Sequence, residues 1–160
     1  MIVLVRCDDR LIHGQCMTVI TKVNNIDNII VVDDFTATNA ILKRVFRTAV
    51  PSNMHANVYT VKESAPVIEK AMADNSKTLV LMKNPKVYVQ LLDEVQNLPK
   101  HLNVGPMSSR KGTKPVNPAI NIMPDEAEAI KTAVSRGAHV YFQQVPEQRL
   151  IEWDEVKHLF

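Results

Sequence analysis

The stretch that decides the fold begins the chain: residues 2–5 read IVLV, and residues 6–15 continue with RCDDRLIHGQ. Four apolar, mostly β-branched residues without alternation are typical of a strand buried on both faces of a sheet. The polar residues and Gly14 that follow indicate a loop, and the sequence then predicts a helix over residues 15–23. A strand, a loop and a helix in this order are the beginning of an α/β fold.

The rest of the chain repeats this alternation. Apolar runs at residues 29–32, 58–61, 79–82 and 140–145 predict further buried strands. Three helical stripes lie between them: Ile41, Leu42, Val45, Phe46 and Ala49; Val67, Ile68, Ala71 and Met72; and Val87, Tyr88, Leu91, Leu92 and Val95. Residues 110–118 predict a loop or irregular hairpin, and residues 150–160 predict a docking helix. We therefore expect a single α/β domain over residues 1–160, with an open, mostly parallel twisted sheet and helices on both faces.

Composition narrows the class of protein. The chain has 160 residues, which fits one domain, and 46% hydrophobic with 22% charged residues excludes long disorder. A net charge of +2 with 5% aromatic residues gives no sign of a nucleic-acid-binding face. The first apolar run ends at Asp8, too early for a signal peptide or a membrane span. We expect a cytoplasmic protein that binds no nucleic acid and does not insert into the membrane.

The loop after the first strand holds the candidate site. His13 stands directly before Gly14 and the predicted helix. There the backbone N–H groups of Gly14, Gln15 and Cys16 would form an anion site at a helix N-terminus. Gly14 would allow a positive φ or the close approach of a ligand. Cys16 is either a buried apolar residue or a redox-sensitive thiol that could block the neighbouring histidine.

Charged residues in the same loop fit phosphoryl chemistry. The planar guanidinium of Arg10 can hold two phosphate oxygens, and either Asp9 or Asp8 can orient one nitrogen of the imidazole. A neutral His13 could then attack a phosphoryl group in line while these donors hold its oxygens. The alternative without a catalytic role is a solvated histidine beside a charge-paired turn. Phosphate-loop glycine motifs and metal-ligand spacings are absent from the sequence, so we expect no nucleotide cofactor and no metal.

A family resemblance supports the phosphoryl interpretation. Residues 5–15, VRCDDRLIHGQ, closely resemble the active-site segment of the enzyme IIB subunits of the mannose-type phosphotransferase system. That pattern is an apolar strand followed by R-[IV]-D-[DE]-R-L-[IV]-H-G-Q, and Cys7 is the only mismatch. Residues 30–34, 81–85, 102–107 and 143–146 resemble further segments of the family in the right order. The resemblance therefore extends over nearly the whole chain.

The resemblance implies a function and its partners. In this family the loop histidine, here His13, accepts a phosphoryl group on Nδ1 from a phosphohistidine of enzyme IIA. It passes the group to a sugar held by the membrane components IIC and IID. Arg10, Gly14 and Gln15 match the family's loop, with Asp9 and Cys16 beside them. Asp33, Lys83 and Ser108 are expected at the rim of the site.

Departures from the pattern leave other readings open. Where the family usually has a histidine and an aromatic residue, this chain has Ser108 and Ser109, followed by Arg110 and Lys111. These cations and Lys114 form either a docking surface for an acidic partner or a solvated loop. One alternative function is a non-transporting regulatory module that reports sugar status by phosphorylation-dependent protein binding. Another is an unrelated small α/β enzyme that binds a nucleotide.

Overall fold

Seven strands form the main sheet of the protein in a computed structural model. They are β1 Ile2–Cys7, β2 Asn28–Val32, β3 His55–Tyr59, β4 Thr78–Met82, β5 His101–Val104, β8 His139–Phe142 and β9 Ile151–Glu152. Their order is β3-β2-β4-β1-β5-β8-β9; every neighbouring pair is parallel except β8 and β9. A separate antiparallel hairpin joins β6 Lys114–Asn117 to β7 Ile120–Ile122. The structure describes residues 1–14 and 18–160, and of residues 15–17 it gives only their inclusion in a helix.

Several helices begin where a capping side chain binds free backbone N–H groups. They are α1 Gly14–Val23, α2 Asp34–Ala37, α3 Ala40–Thr48, α4 Val61–Ala73, α5 Pro85–Glu94, α6 Pro124–Ser135 and α7 Trp153–Val156, followed by a 3₁₀ turn, Lys157–Leu159. Asn84 caps α5 directly before Pro85, and Thr60 with Glu63 forms a reciprocal capping box on α4. Asp33 caps α2 through the N–H of Thr36.

Helices cover both faces of the sheet. Along β2, Ile30 and Val32 pack into one apolar core with α4, α5, α6 and α7. The alternate residues, Ile29 and Val31, pack into a second core with α1 and α3. Since successive side chains of a strand point to opposite faces, a strand covered on both sides is apolar throughout. The predicted class is therefore confirmed: a single α/β domain with an open, mostly parallel sheet and helices on both faces.

Several predicted boundaries were wrong for local reasons. The strand predicted at residues 58–61 is His55–Tyr59, because Thr60 caps α4 and Val61 begins that helix. The strand predicted at residues 140–145 ends at Phe142. The tail is not one helix but β9, α7 and the 3₁₀ turn. The irregular hairpin predicted at residues 110–118 is found a few residues later, as β6 and β7.

The order of the strands indicates which edge of the sheet can hold a functional site. The central strand β1 lies between β4 and β5; the chain forms β2, β3 and β4 on one side of it and then β5, β8 and β9 on the other. In open parallel sheets, ligands and reacting groups lie beyond the carboxyl ends of the strands where the order reverses. The loop after β1 occupies that point. In the described part of the chain, no helix is long and apolar enough to span a bilayer.

Candidate functional site

A tight turn carries the chain from β1 to α1. The N–H of Leu11 donates to the carbonyl of Asp8 at 2.9 Å, and the N–H of Asp8 donates to Met82 at the end of β4, also at 2.9 Å. Leu11 has a φ of 56°, a left-handed conformation that is uncommon for a branched residue. Its side chain is fully buried in the core beneath α1, beside Ile12. Burial of these two side chains thus holds a strained turn in place.

His13 is the N-cap residue of α1 and is partly buried. Its Nδ1 lies 2.9 Å from the carbonyl oxygen of Leu11 and 3.7 Å from Oδ1 of Asp8. A carbonyl oxygen can only accept, so Nδ1 carries the proton in this conformation and the lone pair is on Nε2. Among the described residues, Nε2 has no hydrogen-bond partner although it is buried. The ring is thus held by one nitrogen and carries its lone pair on the other.

Asp8 is the carboxylate at the centre of the loop. Its buried side chain lies 3.7 Å from Arg6, 3.8 Å from Arg10 and 3.7 Å from His13. It also accepts the backbone N–H of Arg10 at 3.2 Å. Burial raises the pKa of Asp8, while His13 and the two arginines oppose that rise. Sequence reasoning left Asp8 and Asp9 as equal candidates, and the structure gives the position beside the imidazole to Asp8.

Arg6 fastens Asp8 to the other half of the sheet. Its buried guanidinium donates to the side chain of Asn103 and to the carbonyls of Gln143 and Gln144, at 3.1 and 2.8 Å for the carbonyls. Gly105 lies against it so closely that a Cβ there would come within 2.3 Å of a guanidinium nitrogen. Sequence reasoning missed Arg6 and Asn103 as site residues. The available signal was a polar side chain within a run predicted to be buried.

Asp9 turns away from the histidine and binds the loop after β5. Its Oδ2 accepts the backbone N–H of Ser108 at 2.7 Å, and its own N–H donates to the carbonyl of Pro106 at 3.2 Å. Asp9 and Ser108, which were both predicted at the site, are therefore in contact. An orienting contact of Asp9 with the imidazole is not present. Arg110 then binds both the Ser108 carbonyl, at 2.9 Å, and the carboxylate of Glu126.

Two of the three basic residues considered as a docking surface, Arg110 and Lys114, have contacts within the protein. Arg110 ties its loop to α6 through Glu126, and Lys114 donates to the carbonyl of Leu159. Lys111 is exposed between them. Trp153 and Phe160 stack on each other, with Trp153 buried, so the tail packs into the core. These contacts favour a structural role for Arg110 and Lys114.

Asp33 and Lys83 lie along the same edge of the sheet. Lys83 directly follows β4, whose last residue binds the N–H of Asp8. Its Nζ lies 3.2 Å from Oδ2 of Asp33 and 5.6 Å from the ring centroid of Phe35. The structure therefore places both predicted rim residues at the carboxyl edge, next to the loop of His13.

The environment of His13 leaves room for a reacting group. A cleft of about 320 Å³ opens beside His13 and Gly14, between α1 and residues 49–54. Gly14 has a φ of 27°, and outside its chain neighbours and its own helix no atom of the described residues lies within 4 Å of where its Cβ would be. A glycine is thus favoured there by backbone conformation, not by crowding. Arg10 is half exposed, so its guanidinium can reach a group that enters from solvent. The predicted roles of Gln15 and Cys16 lie outside the described residues.

Other residues give no sign of a metal site. Within residues 1–14 and 18–160, no three histidine, cysteine, aspartate or glutamate side chains are grouped as metal ligands. Cys7 is buried in β1, and burial raises the pKa of its thiol well above the ordinary value. A protonated, buried thiol is unreactive.

The fold and the histidine loop at the centre of the carboxyl edge define an open α/β protein with a reactive site at its switch point. Residues 2–159 match the family described as the PTS system sorbose subfamily IIB component. The chain belongs to this family. It is thus a phosphotransferase-system IIB component of the mannose, fructose and sorbose group, which is a phosphocarrier in sugar uptake. Membership of this family implies phosphotransferase activity.

Individual relatives agree with the family. The chain is 30% identical over 145 residues to the fructose-specific EIIB component of Bacillus subtilis (strain 168), with 91% of this chain and 88% of the relative covered. It is 34% identical over 130 residues to the sorbose-specific EIIB component of Lacticaseibacillus casei, covering 81% and 79%. The mannose-specific EIIAB component of Escherichia coli (strain K12) is 32% identical over 142 residues, which are 89% of this chain and 44% of that protein.

Solved structures show the same fold. The IIBSor domain of the sorbose permease from Klebsiella pneumoniae has a TM-score of 0.89 at 26% identity, with 99% of this chain and 98% of that chain covered. The N-acetylgalactosamine-specific IIB component 1 from Escherichia coli has a TM-score of 0.87 at 25% identity, covering 95% and 99%. The resemblance inferred from the loop sequence is therefore confirmed at the level of the family.

Proposed function

We propose that His13 is the phosphocarrier of a sugar-transporting phosphotransferase system, with residues 1–160 acting as one cytoplasmic IIB domain. His13 accepts the phosphoryl group from a phosphohistidine of enzyme IIA and delivers it to a sugar held by the membrane components IIC and IID. One observation carries this proposal. The imidazole caps α1 at the centre of the carboxyl edge, with Asp8 3.7 Å from its Nδ1 and Arg10 beside that carboxylate.

The charges around His13 suit a transferring phosphoryl group. The N-terminal end of α1 carries a partial positive charge, and the half-exposed guanidinium of Arg10 can bind two equatorial oxygens. In the transfer, an N–P bond to His13 forms as the N–P bond of the donor breaks, and the donor imidazole leaves with the electron pair. Asp8 lies 3.7 Å from Nδ1 in the described conformation, so its negative charge is close to the imidazole that becomes positively charged as the N–P bond forms.

The nitrogen that is modified follows from the orientation of the ring. The family resemblance implies Nδ1, which in the described conformation donates to the Leu11 carbonyl. Attack by Nδ1 therefore requires the ring to leave Leu11 and Asp8 and to transfer its proton to Nε2. We retain Nδ1 as the proposed atom. ¹⁵N NMR of the phosphorylated protein tests it, because the two nitrogens give different coupling patterns to phosphorus.

Intact-mass spectrometry tests the carrier role directly. The protein is incubated with phosphoenolpyruvate, enzyme I, HPr and a mannose-type enzyme IIA. The expected result is one acid-labile phosphoryl group per chain in the unmodified protein and none in His13→Ala. The exposed His55 lies on β3, so His55→Ala is the matched control and should be phosphorylated normally. Phosphorylation that persists in His13→Ala would contradict the proposal, and so would a lack of phosphorylation with several enzymes IIA.

Transfer onward to sugar is tested with membranes that contain IIC and IID. The phosphorylated protein should lose its phosphoryl group when the transported sugar is added, and sugar phosphate should appear in equal amount. A phosphorylated protein that delivers to none of the sugars of this group would instead support the regulatory module.

A further inference from the structure

Three large apolar side chains stand in solvent on the two helices that follow β2. Phe35 of α2 is 68% exposed, and Ile41 and Val45 of α3 are 76% and 52% exposed. The sequence pattern placed Ile41 and Val45 in one helical stripe with Phe46; Phe46 packs against the second core, whereas Ile41 and Val45 face solvent. We call Phe35, Ile41 and Val45 the α2–α3 patch. Clustered apolar exposure of this kind marks an interaction surface.

The patch begins at the carboxyl edge, beside the site. α2 starts directly after β2, and Asp33, which caps it, is paired with Lys83 at the end of β4. The strands β2 and β1 are separated by β4 alone, hence by roughly 10 Å at the usual strand spacing. α3 then leads back toward the start of β3, so Ile41 lies near the carboxyl edge and Val45 about one turn further from it.

A protein that contacts His13 would also cover the α2–α3 patch, because of the usual size of protein interfaces. A stable interface covers about 800 Å² on each partner, a disc roughly 30 Å across. A donor that brings its phosphohistidine to His13 must sit on the carboxyl edge. Such an interface, centred on His13, extends beyond β2 and over Phe35 and Ile41. The protein that donates the phosphoryl group to His13 would therefore also cover the α2–α3 patch.

The charges of the patch fit an anionic partner. Lys83 lies over the Phe35 ring at 5.6 Å from its centroid. Arg44 is exposed on the same face of α3 as Ile41 and Val45, three residues after one and adjacent to the other. The nearest carboxylates are already engaged: Asp33 with Lys83 and Asp34 with the N–H of Val61 at 2.8 Å. Lys83 is itself engaged with Asp33, so Arg44 is the charge beside the patch that remains to face an acidic group of the donor.

We propose that the α2–α3 patch is an apolar part of the surface on which the phosphohistidine-bearing donor protein docks, with Arg44 facing a carboxylate of that partner. The inference rests on the proposed function, because it assumes that His13 receives its phosphoryl group from a protein. Large apolar side chains that an interface buries contribute to its binding energy, whereas charges at its margin mainly accelerate the encounter. The patch thus determines how tightly the donor binds and leaves the transfer step itself unchanged.

The test separates docking from chemistry. The variants are Ile41→Ser, Val45→Ser and the double variant Phe35→Ser with Ile41→Ser. Val23→Ser is the matched control, because Val23 is 54% exposed and ends α1 far from the carboxyl edge. Phosphorylation is followed by rapid quench at increasing concentrations of phosphorylated enzyme IIA. In parallel, the small donor phosphoramidate measures the reactivity of His13 without a protein contact.

We expect KM for the phosphorylated enzyme IIA to rise about tenfold in each single variant and more in the double variant. The kcat and the rate with phosphoramidate should be those of the unmodified protein, and Val23→Ser should match it in every respect. An unchanged KM in the double variant would overturn the docking proposal. Loss of binding to phosphatidylglycerol vesicles with an unchanged KM would also overturn it and assign the patch to a lipid surface. A protein that neither donor phosphorylates at His13 would overturn the proposed function instead.

Discussion

The carboxylate of Asp8 lies among three nitrogen-bearing side chains, those of Arg6, Arg10 and His13, at 3.7 to 3.8 Å. Its sequence neighbour Asp9 binds a backbone N–H of another loop. The two adjacent aspartates therefore have different contacts: Asp8 lies beside the imidazole of His13, and Asp9 holds the loop after β5. This contrast supplies a matched pair of variants.

Asp8→Asn should slow phosphoryl transfer to His13 roughly 10²-fold, the scale for losing one preorganised electrostatic contact. Asn keeps the size of the side chain but removes the charge that faces the imidazole and Arg10. Asp9→Asn should transfer within a few fold of the unmodified protein. Single-turnover rates are measured at saturating donor, together with the proton occupancy of the two His13 nitrogens by ¹⁵N NMR. If Asp8→Asn changes the thermal midpoint but neither the rate nor the tautomer, Asp8 has only a structural role.

The pH dependence of the transfer follows from the same carboxylate. Burial raises the pKa of Asp8, with His13, Arg6 and Arg10 opposing the rise. Asp8 therefore becomes protonated at a higher pH than an ordinary aspartate as the solution is acidified, and its charge is lost there. The single-turnover rate should show a decline on the acid side that is missing from the pH profile of Asp8→Asn. Identical profile shapes for both proteins would show that the charge of Asp8 does not control the rate.

The sequence indicates the candidate loop, but it does not give the hydrogen bonds and ion pairs that the side chains of this loop form. His13, Arg10 and Gly14 were found because they lie in one loop after one strand. Asp8 and Asp9 could not be separated, since their directions depend on a turn in which Leu11 takes a left-handed φ. A leucine gives no local signal for that conformation, which burial of its side chain enforces.

At the scale of elements, the strongest predictions came from the longest patterns. Strands β2 and β4 lie within two fully packed faces, so their sequences are continuously apolar and unmistakable. α2 has four residues and β9 has two, too few for any period to be visible. The exposed α3 shows the opposite failure. Its apolar stripe is real, but nothing in one sequence distinguishes a stripe that faces the core from one that faces a partner.

The junction of β1 with β5 provides a test at this scale. The backbone of Gly105, just after β5, leaves no space for a Cβ beside the guanidinium of Arg6. Gly105→Ala should therefore destabilise the protein by about 1–3 kcal/mol, the usual range for overpacking. Urea unfolding measures it. In an Arg6→Met background the same substitution should cost less, because the guanidinium is gone and the Cys7 carbonyl oxygen, 2.9 Å from the added Cβ, remains. Equal costs in both backgrounds would mean that the guanidinium is not what Gly105 accommodates.

At the scale of the whole molecule, the site and the body of the protein are separated. Two apolar cores hold the sheet between layers of helices, whereas the residues assigned to the site, apart from Arg6 in β1 and Asn103 in β5, follow the carboxyl end of a strand. Close-packed cores have low compressibility, so they can keep their packing while the edge loops change. A carrier needs this arrangement, because it must present the same edge to donor and acceptor in turn. A regulatory module would instead need phosphorylation to alter a distant surface.

Amide chemical shifts before and after phosphorylation distinguish these two designs. His13 must leave the Leu11 carbonyl when it is phosphorylated at Nδ1, so the turn at residues 8–14 should change most. Smaller changes should follow at residues 105–109, which Asp9 holds, and at residues 33–36 and 83–84, which meet across the Lys83–Asp33 pair. The loops at the opposite edge of the sheet should keep their shifts, because two intact cores lie between them and His13. Large shifts at that opposite edge would show a global transition, which a carrier does not need and a regulatory switch does.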